Sequence, residues 1–324
     1  MRVEYKMKKL RVGVVGVGYL GKFHAQKYHQ MPDVELVGIV DPDIERAKKI
    51  AQENDTTFFQ THSSLFGKVD AISIAAPTPA HFTIAKDFLE QDVDVLIEKP
   101  ITNLLEDADE LIHIAANRNL IIQVGHLERF NPAVVALKGK ISQPRFIESH
   151  RLSLFQGRCT DVSVVLDLMI HDIDLILNLV QSDLKAVNAA GISVISGNVD
   201  IANARLEFSN GAVANVTASR ISAKNERKLR LFQKDAYISI DFANHTITIV
   251  RPDPDQTNGI IPGMRMEALS FDKGDALDDE LKAFVHAVKS RSQPLVTGQM
   301  GRDALKTALT IMEQIQETSQ HLLC

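Results

Sequence analysis

The sequence has little of what several classes of protein require. It contains only two cysteines, Cys159 and Cys324, which excludes a disulfide scaffold, and no paired cysteines at the spacing of a zinc site. Its 36 lysines and arginines are outnumbered by 41 aspartates and glutamates, which argues against non-specific binding to nucleic acid or to an anionic membrane. No apolar run approaches the roughly 20 residues that span a bilayer. We therefore expect a soluble, cytoplasmic protein without a metal, nucleic-acid or membrane partner.

The 324 residues, 45% hydrophobic and 24% charged, predict an ordinary globular protein of about two domains. Hydrophobic periodicity changes near residue 126. Before this point, short Val- and Ile-rich runs alternate with amphipathic segments, which indicates a doubly wound parallel sheet, an α/β fold. Beyond Asp183, alternation with a period of two and the Asn210-Gly211 turn predict a mainly antiparallel sheet with helices, an α+β fold. We place the domains at 1–126 and 127–324, and we expect the sheet to support a homo-oligomer, a dimer or a tetramer.

The first predicted strand runs into a glycine-rich motif, Gly16-Val17-Gly18-Tyr19-Leu20-Gly21. The motif opens a predicted helix, and Asp41 follows at the end of the next strand, which is the arrangement of a dinucleotide-binding fingerprint. Glycine lets the backbone approach a pyrophosphate, the helix N-terminus offers N–H groups, and the carboxylate can accept from ribose hydroxyls. The alternative is a glycine-rich turn beside a helix-capping aspartate. Asp41 favours NAD over NADP, although Arg46 and Lys48 could reach a 2′-phosphate.

Two further strands end in loops of interest, Ala76-Pro77-Thr78-Pro79-Ala80-His81 and Glu98-Lys99-Pro100. Ligands of an open parallel sheet bind outside the carboxyl ends of its strands. The residues expected at the cofactor are therefore Ala76, Thr78, His81, Glu98 and Lys99. Because Pro100 favours an extended conformation for the residue before it, Lys99 could exchange a proton with a substrate hydroxyl or stabilise an alkoxide. A solvated lysine paired with Glu98 is the alternative.

A helix predicted over residues 164–180 is apolar almost all round, which indicates burial. Asp167, His171, Asp174 and Asn178 nevertheless fall on one stripe of it. Polar groups on a buried helix must be paired or face a cavity, and a histidine between two carboxylates becomes more basic, as a proton-transfer group requires. A hydrogen-bonded structural network is the alternative.

Arginines are distributed unevenly, with four before residue 127 and twelve after it. Because their forked guanidinium groups bind phosphate and carboxylate groups bidentately, this bias indicates an anionic substrate in the second domain. Solvent-exposed arginines on strands and helices are the alternative.

Together, the glycine motif, Glu98-Lys99-Pro100 and the helix with Asp167, His171 and Asp174 resemble the glucose-fructose oxidoreductase / inositol dehydrogenase / MocA (Gfo/Idh/MocA) oxidoreductase superfamily over essentially the whole chain. The resemblance implies an N-terminal Rossmann domain, a C-terminal domain with a large open sheet, and NAD as cofactor. It also implies that Lys99 and His171 carry the proton chemistry, that Asp167 orients the sugar or the histidine, and that the Lys99–Pro100 bond is cis.

A narrower resemblance lies in the segments 125–132 and 161–172. Both are similar to the branch that oxidises C3 of UDP-N-acetylglucosamine, feeding an aminotransferase that makes 3-amino sugars, for example for lipid A. The resemblance implies that the sugar or diphosphate is held by Arg129, Asn131 and Arg158, with Asp167 and His171 also at the substrate. Some relatives place glycine before the helical histidine, where this chain has Leu168-Met169-Ile170. The alternatives are a dehydrogenase of another sugar or inositol, and a non-catalytic NAD-responsive regulator.

Overall fold

The computed structural model describes residues 8–155, 157, 162–256, 262–272 and 274–321. The chain divides into two compact units. The first comprises the residues up to His126 together with Leu277–Arg302, and the second comprises Leu127–Ala276 together with the chain from Asp303 onward.

The first unit is built around a six-stranded parallel sheet in the order β3-β2-β1-β4-β5-β6. Its elements before residue 126 are β1 Leu10–Val15, α1 Gly21–Gln30, β2 Val34–Val40, α2 Ile44–Glu53, β3 Thr57–Phe59, β4 Ala71–Ile74, α3 His81–Leu89, β5 Asp94–Glu98, α4 Leu105–Arg118 and β6 Ile122–Gly125. The central strands are buried almost throughout, because helices cover both faces of a parallel sheet. This confirms the predicted doubly wound sheet, whose order reverses beside β1, where such folds bind their ligands.

The second unit contains an eight-stranded sheet in the order β14-β13-β12-β11-β7-β10-β9-β8, in which only β7 and β10 run parallel. Its helices and strands, with the last helices of the chain, are α5 Pro132–Val135, β7 Phe146–Leu152, α6 Ile170–Val180, β8 Leu184–Ile192, β9 Ile201–Phe208, β10 Val213–Ser219, β11 Glu226–Gln233, β12 Ala236–Asp241, β13 Thr246–Pro252, β14 Met264–Ser270, α7 Ala276–Ser290 and α8 Gly298–His321. The predicted hairpin is β9–β10, where Ala204 pairs with Val216 and Gly211 turns the chain with φ +83°. The mainly antiparallel α+β fold is thus confirmed.

One face of this second sheet carries the core of the second unit. Alternate residues of β9 and β10 are fully buried against α6 and α8, while the residues between them stay partly exposed. This one-sided burial is what the period of two in the sequence predicts.

The segment Leu277–Arg302 belongs to the first unit, whereas the sequence division assigned it to the second domain, 127–324. The amide of Gln123 donates to the backbone carbonyl of Glu280 at 3.0 Å, and the backbone N–H of Val124 donates to Val296 at 3.1 Å. Hydrophobic periodicity marks α7 as amphipathic, but it carries no information about which sheet the apolar face covers. The sequence therefore does not predict that the chain returns to the first unit at Leu277–Arg302.

Among the described residues, no helix combines the length and the apolar character needed to cross a membrane.

Candidate active site

Glycine stands at the three positions of the first motif for different physical reasons. Gly16 has φ +85°, and a Cβ there would lie 2.6 Å from the backbone of Ala76, while a Cβ at Gly21 would overlap the carbonyl oxygen of Gly16. A Cβ at Gly18, in contrast, would meet nothing within 4 Å. The first two glycines are thus required by packing, whereas Gly18 keeps the backbone open toward the outside. This cradle, with the exposed Tyr19 and Leu20 leading into α1, fits the approach of a dinucleotide pyrophosphate.

Asp41 follows β2 and is engaged by its own chain. Its carboxylate accepts from the backbone N–H of Val17 at 2.8 Å and of Asp43 at 2.9 Å, and from the guanidinium of Arg46 at 2.6 Å. Burial tends to raise the pKa of Asp41, but these donors, led by Arg46, hold it below its ordinary value. The carboxylate is therefore ionised, and it is only 3% exposed, with Arg46 lying against it. Lys48 instead pairs with Glu45.

The loops after β4 and β5 leave neighbouring strands, since Ile74 pairs with Ile97. Ala76, Thr78, Glu98 and Lys99 are partly exposed there, and the Lys99–Pro100 bond is cis, as the family resemblance implies.

His81, by contrast, is 1% exposed. Its ring nitrogens lie 3.0 Å from the carbonyl oxygen of Pro100 and 2.8 Å from that of Ala76. Burial lowers the pKa of His81 despite the opposing effect of these carbonyls. A neutral imidazole carries one N–H and donates to one of the two carbonyls. The ring lies buried between the two loops, which differs from the cofactor contact that we expected.

Sequence reasoning missed a polar cluster beneath Glu98. His24, on α1, lies with Nδ1 2.7 Å from the hydroxyl of Ser73 and with Nε2 3.2 Å from the carboxylate of Glu98. Glu280, on α7, is also fully buried, and both burial and the charge of Glu98 raise its pKa well above the ordinary value. A histidine on the helix that follows the glycine motif was the available signal, but nothing in the sequence pairs it with a residue 74 positions later.

The predicted helix over 164–180 is interrupted at its start. Val165–Met169 forms a π-helical turn, and α6 begins only at Ile170. The extra residue in such a turn shifts the phase of the predicted polar stripe. Asp167 and His171 are partly exposed, whereas Asp174 is buried, at 1% exposure.

Asp174 is bound by Arg129, one of the residues expected to hold the substrate. The guanidinium donates to the two carboxylate oxygens at 2.6 and 2.9 Å, and the Arg129 side chain is only 5% exposed. This buried bidentate pair engages the guanidinium, so the prediction that it holds a diphosphate is not favoured. Asn131 is likewise occupied, because it caps α5 by accepting from the N–H of Ala133. Arg158 lies outside the described residues.

A second buried pair flanks the same helix. Arg151, on β7, donates to Asp172 at 2.8 and 3.1 Å and to Glu128 at 2.8 Å. Burial opposes the charge of Arg151, yet Asp172 and Glu128 together raise its pKa above the ordinary value. Helix α6 is thus held by two buried arginines from other elements of its unit. Within the described part of the chain, no group of three or more His, Cys, Asp or Glu side chains is placed to hold a metal ion.

Two family models match the chain. The model of an oxidoreductase family with an NAD-binding Rossmann fold matches residues 10–126, and the model of the GFO/IDH/MocA C-terminal domain matches residues 134–239. The UDP-N-acetylglucosamine 3-dehydrogenase of Acidithiobacillus ferrooxidans is 39% identical over 96% of this chain and 98% of its own length, and its solved structure covers 96% of this chain and 99% of its own with a TM-score of 0.91.

More distant relatives share the architecture. The myo-inositol 2-dehydrogenase of Thermotoga maritima is 23% identical over 95% of this chain and 97% of its own length. A levoglucosan dehydrogenase solved with NADH and levoglucosan has a TM-score of 0.85 at 18% identity, covering 96% of this chain and 98% of its own, which shows the fold alone.

Proposed function

Because this chain belongs to the Gfo/Idh/MocA oxidoreductase family and is an NAD-dependent oxidoreductase of a sugar hydroxyl, we propose that its substrate is UDP-N-acetylglucosamine, oxidised at C3. The observation that carries this proposal is the similarity to a UDP-N-acetylglucosamine 3-dehydrogenase at 39% identity over nearly the whole length of both chains. At about 23% identity, the similarity to an inositol dehydrogenase supports the alternative substrate class less strongly.

In the proposed reaction the C3–H bond breaks, the hydroxyl loses its proton, and a 3-keto sugar forms. NAD⁺, when bound, accepts the hydride. Lys99 and His171 are the proposed groups for the hydroxyl proton, because both side chains are partly exposed and both are of types that transfer protons near neutral pH. Asp167, one turn before His171, is proposed to orient the sugar or the imidazole.

The cofactor is proposed to lie with its pyrophosphate over Gly18 and the start of α1, and with its adenosine ribose at Asp41. The open side of Gly18 and the ionised carboxylate of Asp41 support this placement. Ala76, Thr78, Glu98 and Lys99 are proposed at the nicotinamide end. For Arg129 and Asn131, we propose that they support α5 and α6 and do not contact the diphosphate, because their polar atoms are already engaged.

The proposed product, a 3-keto sugar, indicates which class of reaction would follow. A 3-keto sugar is what a pyridoxal-dependent aminotransferase would convert to a 3-amino sugar, so we propose that the enzyme supplies such a reaction.

We further propose that the protein is a cytoplasmic homo-oligomer. The outer residues of β9, β10 and β11 are partly exposed, which supports a subunit interface on this face of the sheet. Size-exclusion chromatography with light scattering would test it.

The decisive experiment follows NADH fluorescence after NAD⁺ is added with UDP-N-acetylglucosamine, UDP-glucose, free N-acetylglucosamine or myo-inositol. Turnover of UDP-N-acetylglucosamine, with product identified as the 3-ketone by trapping with hydroxylamine, is expected. Turnover of myo-inositol alone would refute the nucleotide-sugar assignment but not the family. Binding of NADH and sugar without turnover, unchanged by Lys99→Met, would instead favour the regulator.

A further inference from the structure

Two buried histidines of the first unit contact the two residues that flank Lys99 in the chain. His81, on α3, contacts the carbonyl oxygen of Pro100 at 3.0 Å, and His24, on α1, contacts the carboxylate of Glu98 at 3.2 Å. The two residues are 1% and 0% exposed. The residue before Lys99 and the residue after it are therefore each held by an imidazole from a different helix.

His24 lies between two polar groups. Its Nδ1 is hydrogen-bonded to the hydroxyl of Ser73 at 2.7 Å, and its Nε2 lies 3.2 Å from the Glu98 carboxylate. The ring therefore reaches from β4, which carries Ser73, to the end of β5, where Lys99 follows Glu98.

The other titratable groups that act on Glu98 come from α1, α3 and α7. Burial raises the pKa of Tyr28 above its ordinary range, and burial with the charge of Glu98 does the same to Glu280. Burial lowers the pKa of His81. Burial thus opposes the charged form of each of these three groups around Glu98. The carboxyl group of Glu98 is also confined by β6, because a Cβ at Gly125 would lie 2.8 Å from it.

We propose that His24 and His81 are positioning residues for Lys99. His24 holds the Glu98 carboxylate in place, and His81 lies against the carbonyl of Pro100, so that the backbone of Lys99 is anchored on both sides. This inference rests on the proposed role of Lys99 in proton transfer. It explains why α1, which begins at the dinucleotide motif, carries a histidine that is inaccessible to any cofactor.

The test uses the full-length protein and the variants His24→Leu, His24→Gln and His81→Leu. The matched control is His62→Leu, because His62 also contacts a carboxylate, that of Asp87 at 2.7 Å, but this carboxylate belongs to α3 and not to the Lys99 loop. The first readout needs no sugar: Lys99 is labelled with acetic anhydride across a pH series, and mass spectrometry gives the pH of half-maximal labelling. The second readout is kcat and KM with UDP-N-acetylglucosamine, together with the Kd of NADH from fluorescence.

Loss of the His24 ring removes the contact that confines the Glu98 carboxylate, so this carboxylate can move away from Lys99, whose charged form a nearby carboxylate favours. We expect His24→Leu to lower the labelling midpoint of Lys99 by about half a pH unit or more, roughly a threefold change in proton affinity. A misplaced lysine should lower kcat about ten- to a hundredfold, while the Kd of NADH changes less than about twofold. Glutamine at position 24 can still contact the carboxylate and should restore most of both quantities, and His62→Leu should change neither.

A folded His24→Leu protein with an unchanged midpoint and unchanged kcat would overturn the role of His24. A large loss of NADH binding in His81→Leu would show a cofactor contact and overturn the role of His81. If His24→Leu does not fold, Ser73→Ala removes the hydrogen-bond partner of Nδ1 and should shift the midpoint in the same direction, and its failure to do so would overturn the inference. If the wild type turns over no UDP-sugar, the proposed function fails, but the labelling series still decides whether His24 sets the state of Lys99.

Discussion

Replacement of Arg129 by methionine separates a supporting role from a substrate-binding role for this residue. Its guanidinium is bound to Asp174 at 2.6 and 2.9 Å, and the two side chains are 5% and 1% exposed. Removal of one partner leaves a buried charge without compensation, which costs about 3–5 kcal/mol. We therefore expect Arg129→Met to lower the free energy of unfolding by about that amount, measured by urea titration with far-UV circular dichroism. Methionine keeps the length and apolar stem of the side chain, so the loss reports mainly the charge.

The matched control is Arg205→Met in the same unit. Arg205 pairs with Glu207 at 3.0 Å, but the side chains are 45% and 38% exposed, so its loss should cost only about 0–1 kcal/mol. The double variant Arg129→Met/Asp174→Leu removes both buried charges and should recover most of the lost stability. A loss below about 1 kcal/mol in Arg129→Met, accompanied by weaker binding of UDP-N-acetylglucosamine, would refute this reasoning and assign Arg129 to the substrate.

Three further predictions follow from the first unit and from α6. Because the pKa of Glu280 is raised in the folded chain, the free energy of unfolding should fall by about 1.4 kcal/mol per pH unit above the ordinary glutamate pKa, as long as the folded form stays neutral. The free energy of unfolding of Glu280→Gln, measured by urea titration, should therefore exceed that of the wild type by a larger margin at pH 8 than at pH 5. An equal margin at both pH values would contradict this. Gly18→Ala should keep the wild-type Tm but bind NADH more weakly. Gly16→Ala should lower the Tm, because a Cβ at residue 16 meets backbone atoms and the residue has a positive φ. Equal losses of Tm in the two variants would contradict a role of Gly18 in cofactor binding. Lys99→Met and His171→Asn should each lower kcat about 10²- to 10⁴-fold with NADH binding intact, and a wild-type kcat in either would remove that residue from the proton chemistry.

The sequence predicts those structural features whose pattern lies within a few neighbouring residues. The strands of the first sheet could be predicted because they are continuous Val- and Ile-rich runs, and Gly16 to Gly21 could be located because a turn, a strand and a helix all lie within a few residues of one another. The three-residue strand β3, Thr57–Phe59, is too short to show a period. The pairing of Arg129 with Asp174 joins residues 45 positions apart, and no periodicity connects them. For the same reason the sequence alone does not indicate that Arg129 is bound to Asp174.

The π-helical turn at Val165–Met169 shows a second limit. A stripe at i, i+4, i+7 and i+11 is a single face only if the helix is regular throughout. The turn contains Asp167, so it changes the position of Asp167 around the helix axis relative to His171. Asp174 lies three residues after His171 in the regular helix α6 and is buried, as is Asp172 directly after the histidine. Turns of this kind occur frequently at functional sites.

The two residues proposed for proton transfer share one structural feature, although they belong to different units. A largely buried carboxylate stands next to each of them in the chain: Glu98 precedes Lys99 and is contacted by His24, and Asp172 follows His171 and is bound by Arg151. A buried ion pair such as that of Arg151 and Asp172 is a poor source of stability, since apolar residues of similar volume often stabilise as much or more. What such pairs add is a fixed position, and proton transfer is sensitive to displacements of about 1 Å. We therefore expect Arg151→Met/Asp172→Leu to unfold at a urea concentration near that of the wild type and yet to lose kcat, and a double variant with undiminished kcat would show that the pair only replaces apolar packing.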